Sequence, residues 1–106
     1  MATRKLVTCI GKKDIFHPPF ERIESIGGYY HGMPWKLTVE MAIKNIKKKT
    51  EEYFILSVSK KELNIIVATY KNMEYLKTET DNDSPDNLLG LPQFFENAII
   101  NHLPKR

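Results

Sequence analysis

The chain reads as a single α+β domain spanning residues 1–106. The expected fold is an antiparallel sheet of about five strands in the order ββαβββα, with one main helix packed on it and a short C-terminal helix. Three observations predict this. Apolar residues recur at helical spacing over residues 38–49. Three β-prone runs follow one another between Tyr53 and Thr80, separated by short polar turns. A length of 106 residues suffices for one modest core without metals or disulfides.

Leu6, Thr8 and Ile10 alternate with Lys5, Val7 and Cys9, the pattern of a first strand, and Gly11 with Lys12-Lys13-Asp14 ends it. His17-Pro18-Pro19 enforces an extended connection, because each proline fixes its own φ and restricts the residue before it. Phe20–Ile26 reads as the second strand, broken by Gly27-Gly28, and Tyr29–Pro34 as an aromatic loop. Thr38 is the expected N-cap of the main helix, with Glu40 in the first turn. Val39, Ala42, Ile43 and Ile46 make one apolar stripe, and Lys47-Lys48-Lys49 suits the negative helix end.

Tyr53–Val58, Leu63–Tyr70 and Glu74–Thr80 are the three strands of the meander. Asp81–Asp86 is a loop, and Pro92 is expected to open the short helix, running to about Leu103 with Phe95, Ala98 and Ile99 inward. The predicted core joins Val39, Ile43, Ile46, Phe54, Leu56, Ile65, Val67 and Leu76, with the helix across the meander. Tyr75 and Leu76 are expected on opposite faces of their strand.

Composition limits function more than it assigns it. No apolar run reaches the roughly 18–20 residues of a membrane span, no export signal is evident, and one cysteine makes an internal disulfide impossible. A cytoplasmic protein is expected. Net charge is only +3, but its distribution is uneven. Seven lysines against three glutamates lie between Lys36 and Lys61, and six acids against one lysine between Glu74 and Glu96.

Asp81, Asp83 and Asp86 invite a calcium reading, which fails at Pro85, Asp86 and Pro92, where a calcium loop needs a ligand, a glycine and a glutamate. His17, His31 and His102 fall on separate elements, Cys9 sits in a strand alternation, and Gly27-Gly28 precedes tyrosines rather than a helix. No metal, cofactor or catalytic residue is expected. Trp35, with Tyr29, Tyr30 and Lys36, can either stack on bases or close one end of the core.

Trp35-Lys36-Leu37-Thr38-Val39, the meander, Tyr75-Leu76-Lys77-Thr78, Asp81 and Asn87-Leu88-Leu89-Gly90-Leu91-Pro92 together carry a resemblance. The chain resembles a family of small bacterial proteins known only as a domain of unknown function. The resemblance covers about residues 22–92 and leaves 93–106 as an extension. It implies the fold and brings no activity, cofactor or site residue. Physically, the closing motif reads as a plug: Asn87 satisfying backbone groups of the turn, and Leu89 or Leu91 buried on the sheet.

The function expected first is a small binding or adaptor module acting through a protein partner, not an enzyme. The alternative is a nucleic-acid-associated protein using Trp35, Lys36, Lys44, Lys47, Lys48, Lys49, Lys60 and Lys61.

Overall fold

The computed structural model describes residues 2–13, 21–81 and 86–93. Among the described residues nine elements follow one another: β1 Thr3–Leu6, β2 Cys9–Lys12, β3 Ile23–Tyr30, β4 Met33–Thr38, α1 Val39–Lys48, β5 Glu51–Leu56, β6 Glu62–Tyr70, β7 Met73–Thr78 and α2 Asp86–Leu89. The α+β class holds, but the strands form two sheets rather than one. Four are ordered β1-β5-β6-β7 and three are ordered β2-β3-β4. The β1–β5 pair is parallel, the others antiparallel.

The expected first strand is split in two. Val7 N–H donates to the Phe54 carbonyl (2.8 Å), and the next amide, Thr8 N–H, donates to the Gly27 carbonyl (2.9 Å). Successive amides therefore serve different sheets, and the chain bends from one into the other. This bend explains the glycines opposite it. Gly27 and Gly28 do not break β3 but lie buried within it. A Cβ on Gly28 would sit 2.6 Å from the Leu6 carbonyl oxygen, so only glycine lets the crossing strand approach.

The Tyr29–Pro34 segment is likewise not a loop. His31 and Gly32 have φ of 52° and 82°, and Tyr30 pairs with Met33. Two consecutive positive φ values are the signature of a type I′ turn, which matches strand twist. The β3–β4 hairpin results.

The main helix forms as its sequence predicts. Thr38 accepts from Met41 N–H (3.2 Å), and Lys49 ends the helix in the left-handed region at φ 61°. Ala42 and Ile43 are buried, and Val39 and Ile46 pack beside them. The helix lies against strands of both sheets. One core joins Val7, Ile10 and Ile26 to Ile43, Tyr53, Ile55, Ile65 and Leu76.

The inward face of β5 is Tyr53 and Ile55, not Phe54 and Leu56, and Leu56 is 41% exposed. Apolar residues occupy both faces of this strand, so alternation does not decide its parity; its pairing with β1 and β6 does. Val67 is only half-buried. Tyr75 and Leu76, neighbours on β7, are both buried.

The closing motif ties off two sheet edges. Asp81 Oδ2 accepts from Thr78 N–H and Oγ1 (both 3.0 Å), and Asp81 Oδ1 accepts from Asn87 N–H (3.2 Å). The Asn87 amide donates to Thr78 Oγ1 (2.8 Å) and Thr80 Oγ1 (3.1 Å). The Asn87 side chain thus binds hydroxyls, while Asp81 serves two backbone amides and the Thr78 hydroxyl. Leu88 is the fully buried plug, with Leu89 and Leu91 half-buried against it. Further on, Ile10 N–H donates to the Pro92 carbonyl (2.9 Å) and Ile10 pairs with Gln93. Pro92 and Gln93 are therefore extended beside β2 and open no helix; residues 94–103 of the expected helix lie outside the described residues.

Candidate binding surface

Exposed apolar side chains gather on the β3–β4 hairpin. Tyr29 is 55% exposed, Met33 68% and Tyr30 36%, and Pro34 is exposed beside them. A two-residue turn closes on a hydrogen-bonded pair, here Tyr30–Met33, so Trp35 and Leu37 also direct their backbone groups to β3. Among the described residues no strand pairs with the other side of β4, which carries Pro34, without an N–H, and the exposed Lys36. Both blunt an edge against further strand pairing.

Behind the hairpin lies a polar and aromatic cluster. Trp35 stacks on the buried Tyr53 ring, with centroids 5.7 Å apart. Lys5, opposite Tyr53 in the parallel pair, places Nζ 5.2 Å from the Trp35 ring and 5.4 Å from the Tyr30 ring, and 2.9 Å from Glu51 Oε2. Tyr53 OH donates to Glu51 Oε1, and Asn45 Nδ2 donates to Tyr53 OH (3.0 Å) and Glu51 Oε1 (3.3 Å). Burial, followed by the bond to the Glu51 carboxylate, pushes the Tyr53 phenol well above its ordinary range. Burial also works to raise the Glu51 carboxyl, but the hydrogen bond from Tyr53, then Lys5 and Asn45, hold it below its ordinary value. The Glu51 side opens on a surface depression of about 530 Å³, shared with Ala2, Ile46, Lys49 and Glu52.

Trp35 is therefore half-buried, held by Tyr53 and Lys5, and its Nε1 has no acceptor among the described residues. Lys44, Lys47 and Lys48 keep to one exposed face of α1, where Lys47 pairs with Glu74. Lys49 occupies the C-cap. Lys60, at φ 67°, and Lys61 form the turn at the far end of β5, which is roughly 17 Å long at about 3.3 Å per residue. The fold thus separates the helix lysines from the turn lysines along that strand, and places Lys36 on β4 opposite Gly27.

Cys9 is buried, and His31 stands in the hairpin turn with its ring centroid 4.2 Å from that of Tyr30. His17, His102 and Asp83 lie outside the described residues, and among the described residues no three metal-ligating side chains gather. Nor is any helix there long and apolar enough to cross a membrane. The residues missed by sequence reasoning are Lys5, Asn45, Glu51 and Tyr53. Their partners are distant in the chain, and the one local signal was the i, i+2 spacing of Glu51 and Tyr53, which puts them on one face of a strand.

The family model described as protein of unknown function (DUF3892) matches residues 7–92, most of the chain. The chain belongs to this family. Comparison with curated proteins and with solved structures finds no match. The matched segment starts at the Val7–Thr8 bend and contains β2 to β7, α1 and the closing motif up to Pro92.

Proposed function

We propose that this protein is a small cytoplasmic binding module that acts through a protein partner, with the β3–β4 hairpin as the contact. The observation that carries the reading is the exposure of Tyr29 (55%) and Met33 (68%) beside Pro34 on an edge already blunted against strand pairing. Aromatic residues and methionine are enriched at protein interfaces: tyrosine adds large contact area at low entropic cost, and methionine adds a flexible, polarisable apolar surface. The single cysteine suits a reducing compartment.

A second reading, binding of nucleic acid, draws on the lysine face of α1 at Lys44, Lys47 and Lys48. The pairing of Lys47 with Glu74 and the separation of Lys60 and Lys61 from the helix weaken it. The test is affinity capture from the native host with wild-type bait and a Tyr29→Ser/Met33→Ser double variant, each with and without nuclease. A discrete protein retained by wild type, lost with the double variant and indifferent to nuclease is the expected result. Unchanged capture by the double variant sinks the hairpin contact. Nuclease-sensitive capture moves the reading to nucleic acid, whose gel-shift affinity would fall with a log–log salt slope of about −0.7 to −0.9 per phosphate.

A further inference from the structure

The groups around Lys5 are those that recognise an alkylammonium ion. Its ammonium lies 5.2 Å from the Trp35 centroid, 5.4 Å from the Tyr30 centroid and 2.9 Å from a Glu51 oxygen. Two ring faces and a carboxylate around one cation make an aromatic cage, occupied by the chain's own side chain. Two of the three walls are also supported by groups other than the occupant. Trp35 is braced by the buried Tyr53 ring, and Glu51 is held by Tyr53 and Asn45. The site is also close to solvent: the Lys5 side chain is 17% exposed, and Tyr30, paired with Met33 beside the hairpin turn, is 36% exposed.

We propose that this cage is a binding site for a methylated ammonium group, such as a methyl-lysine side chain on the protein partner, and that Lys5 is its built-in competitor. The proposal rests on the protein-partner reading above and names the chemistry recognised. A methylated ammonium is less strongly hydrated than the Lys5 head group and loses less on leaving water, so ring faces favour it. Lys5 has the advantage of being tethered, which gives it a high effective concentration. Its side chain is flexible and can swing aside without disturbing the backbone pairing of β1 with β5. Neutralising or shortening Lys5 would open the cage.

The test is a titration with tetramethylammonium chloride, matched against sodium chloride and read by the Trp35 indole and Tyr30 ring resonances. Lys5→Ala should show a saturable shift with an affinity at least about tenfold above wild type, and Tyr30→Leu in that background should abolish it. A folded Lys5→Ala protein with no saturable shift, a response equal to that in sodium chloride, or binding indifferent to Tyr30→Leu would overturn the proposal. Should Lys5→Ala not fold, Lys5→Gln keeps most of the side-chain stem and is held to the same outcomes. The capture assay with Tyr29 and Met33 variants reads the parent proposal separately. Partner loss there without ammonium binding here removes the cage alone.

Discussion

The β3–β4 and β6–β7 hairpins are built to one local plan and put to opposite uses. Each closes on a tyrosine–methionine pair, Tyr30–Met33 and Tyr70–Met73, across two residues with positive φ. Counting outward from the turns, Gly28 corresponds to Ala68, Pro34 to Glu74, Trp35 to Tyr75 and Lys36 to Leu76. The last pair separates them. Leu76 is 2% exposed, whereas Lys36 is exposed and the half-buried positions of β4 are Trp35 and Leu37. β7 thus buries both parities, Tyr75 as well as Leu76, whereas β4 turns only the Trp35 and Leu37 parity inward. Turn chemistry sets the pairing; the apolar pattern of the flanking strand selects the face. The edges differ as well. β7 is tied off by the Asp81–Asn87 clasp, while β4 relies on Pro34 and Lys36 and keeps its aromatic tip in solvent.

The largest test of this contrast is Leu76→Ala, which should cost about 2–5 kcal/mol, the range for emptying a well-packed aliphatic site. Lys36→Ala, at the matching position, should cost under about 1 kcal/mol. Comparable losses in urea melts would mean that both hairpins turn the same parity inward.

Gly28→Ala comes next, at about 1–3 kcal/mol, because the new methyl group meets the Leu6 carbonyl and the backbone must shift. The reverse change at the equivalent site, Ala68→Gly, should cost about 0.5–1 kcal/mol from chain entropy alone. A Gly28→Ala protein as stable as wild type would show that the β1–β2 bend does not press on β3.

Asn87→Ala should lose about 1–2 kcal/mol with its two hydroxyl contacts. Hydrogen exchange should speed up at the Thr78 amide and stay unchanged in β4. Faster exchange in both hairpins would show that the clasp is not local to β7.

The smallest effect concerns pH. The folded Glu51 carboxyl titrates below its ordinary value of 4.5, so its contribution to stability is present above that value and is lost as pH falls through the folded value. Glu51→Gln should therefore flatten the stability profile below about pH 4.5. An unchanged acid limb would assign it to other carboxylates.

What sequence reasoning reached was local. The α1 boundaries, the Thr38 cap, the Val39–Ile46 stripe and the β-prone meander follow from propensity and period, and these act within a few residues. Family membership was legible as well, over about residues 22–92 of the 7–92 that the family model matches. Three decisions lay beyond that reach. Gly27-Gly28 reads as a breaker until the Leu6–Thr8 bend is seen lying against it. Tyr53–Leu56 carries apolar residues on both faces, so only pairing with Lys5 and Asn64 chose Tyr53 and Ile55 for the core. The Lys5–Glu51–Tyr30–Trp35 cluster brings together four strands in which no residue announces its partner. Period and capping are properties of neighbours along the chain and are written in it; parity, crossing and ion pairing are properties of neighbours in space, decided only when the two sheets close on the helix.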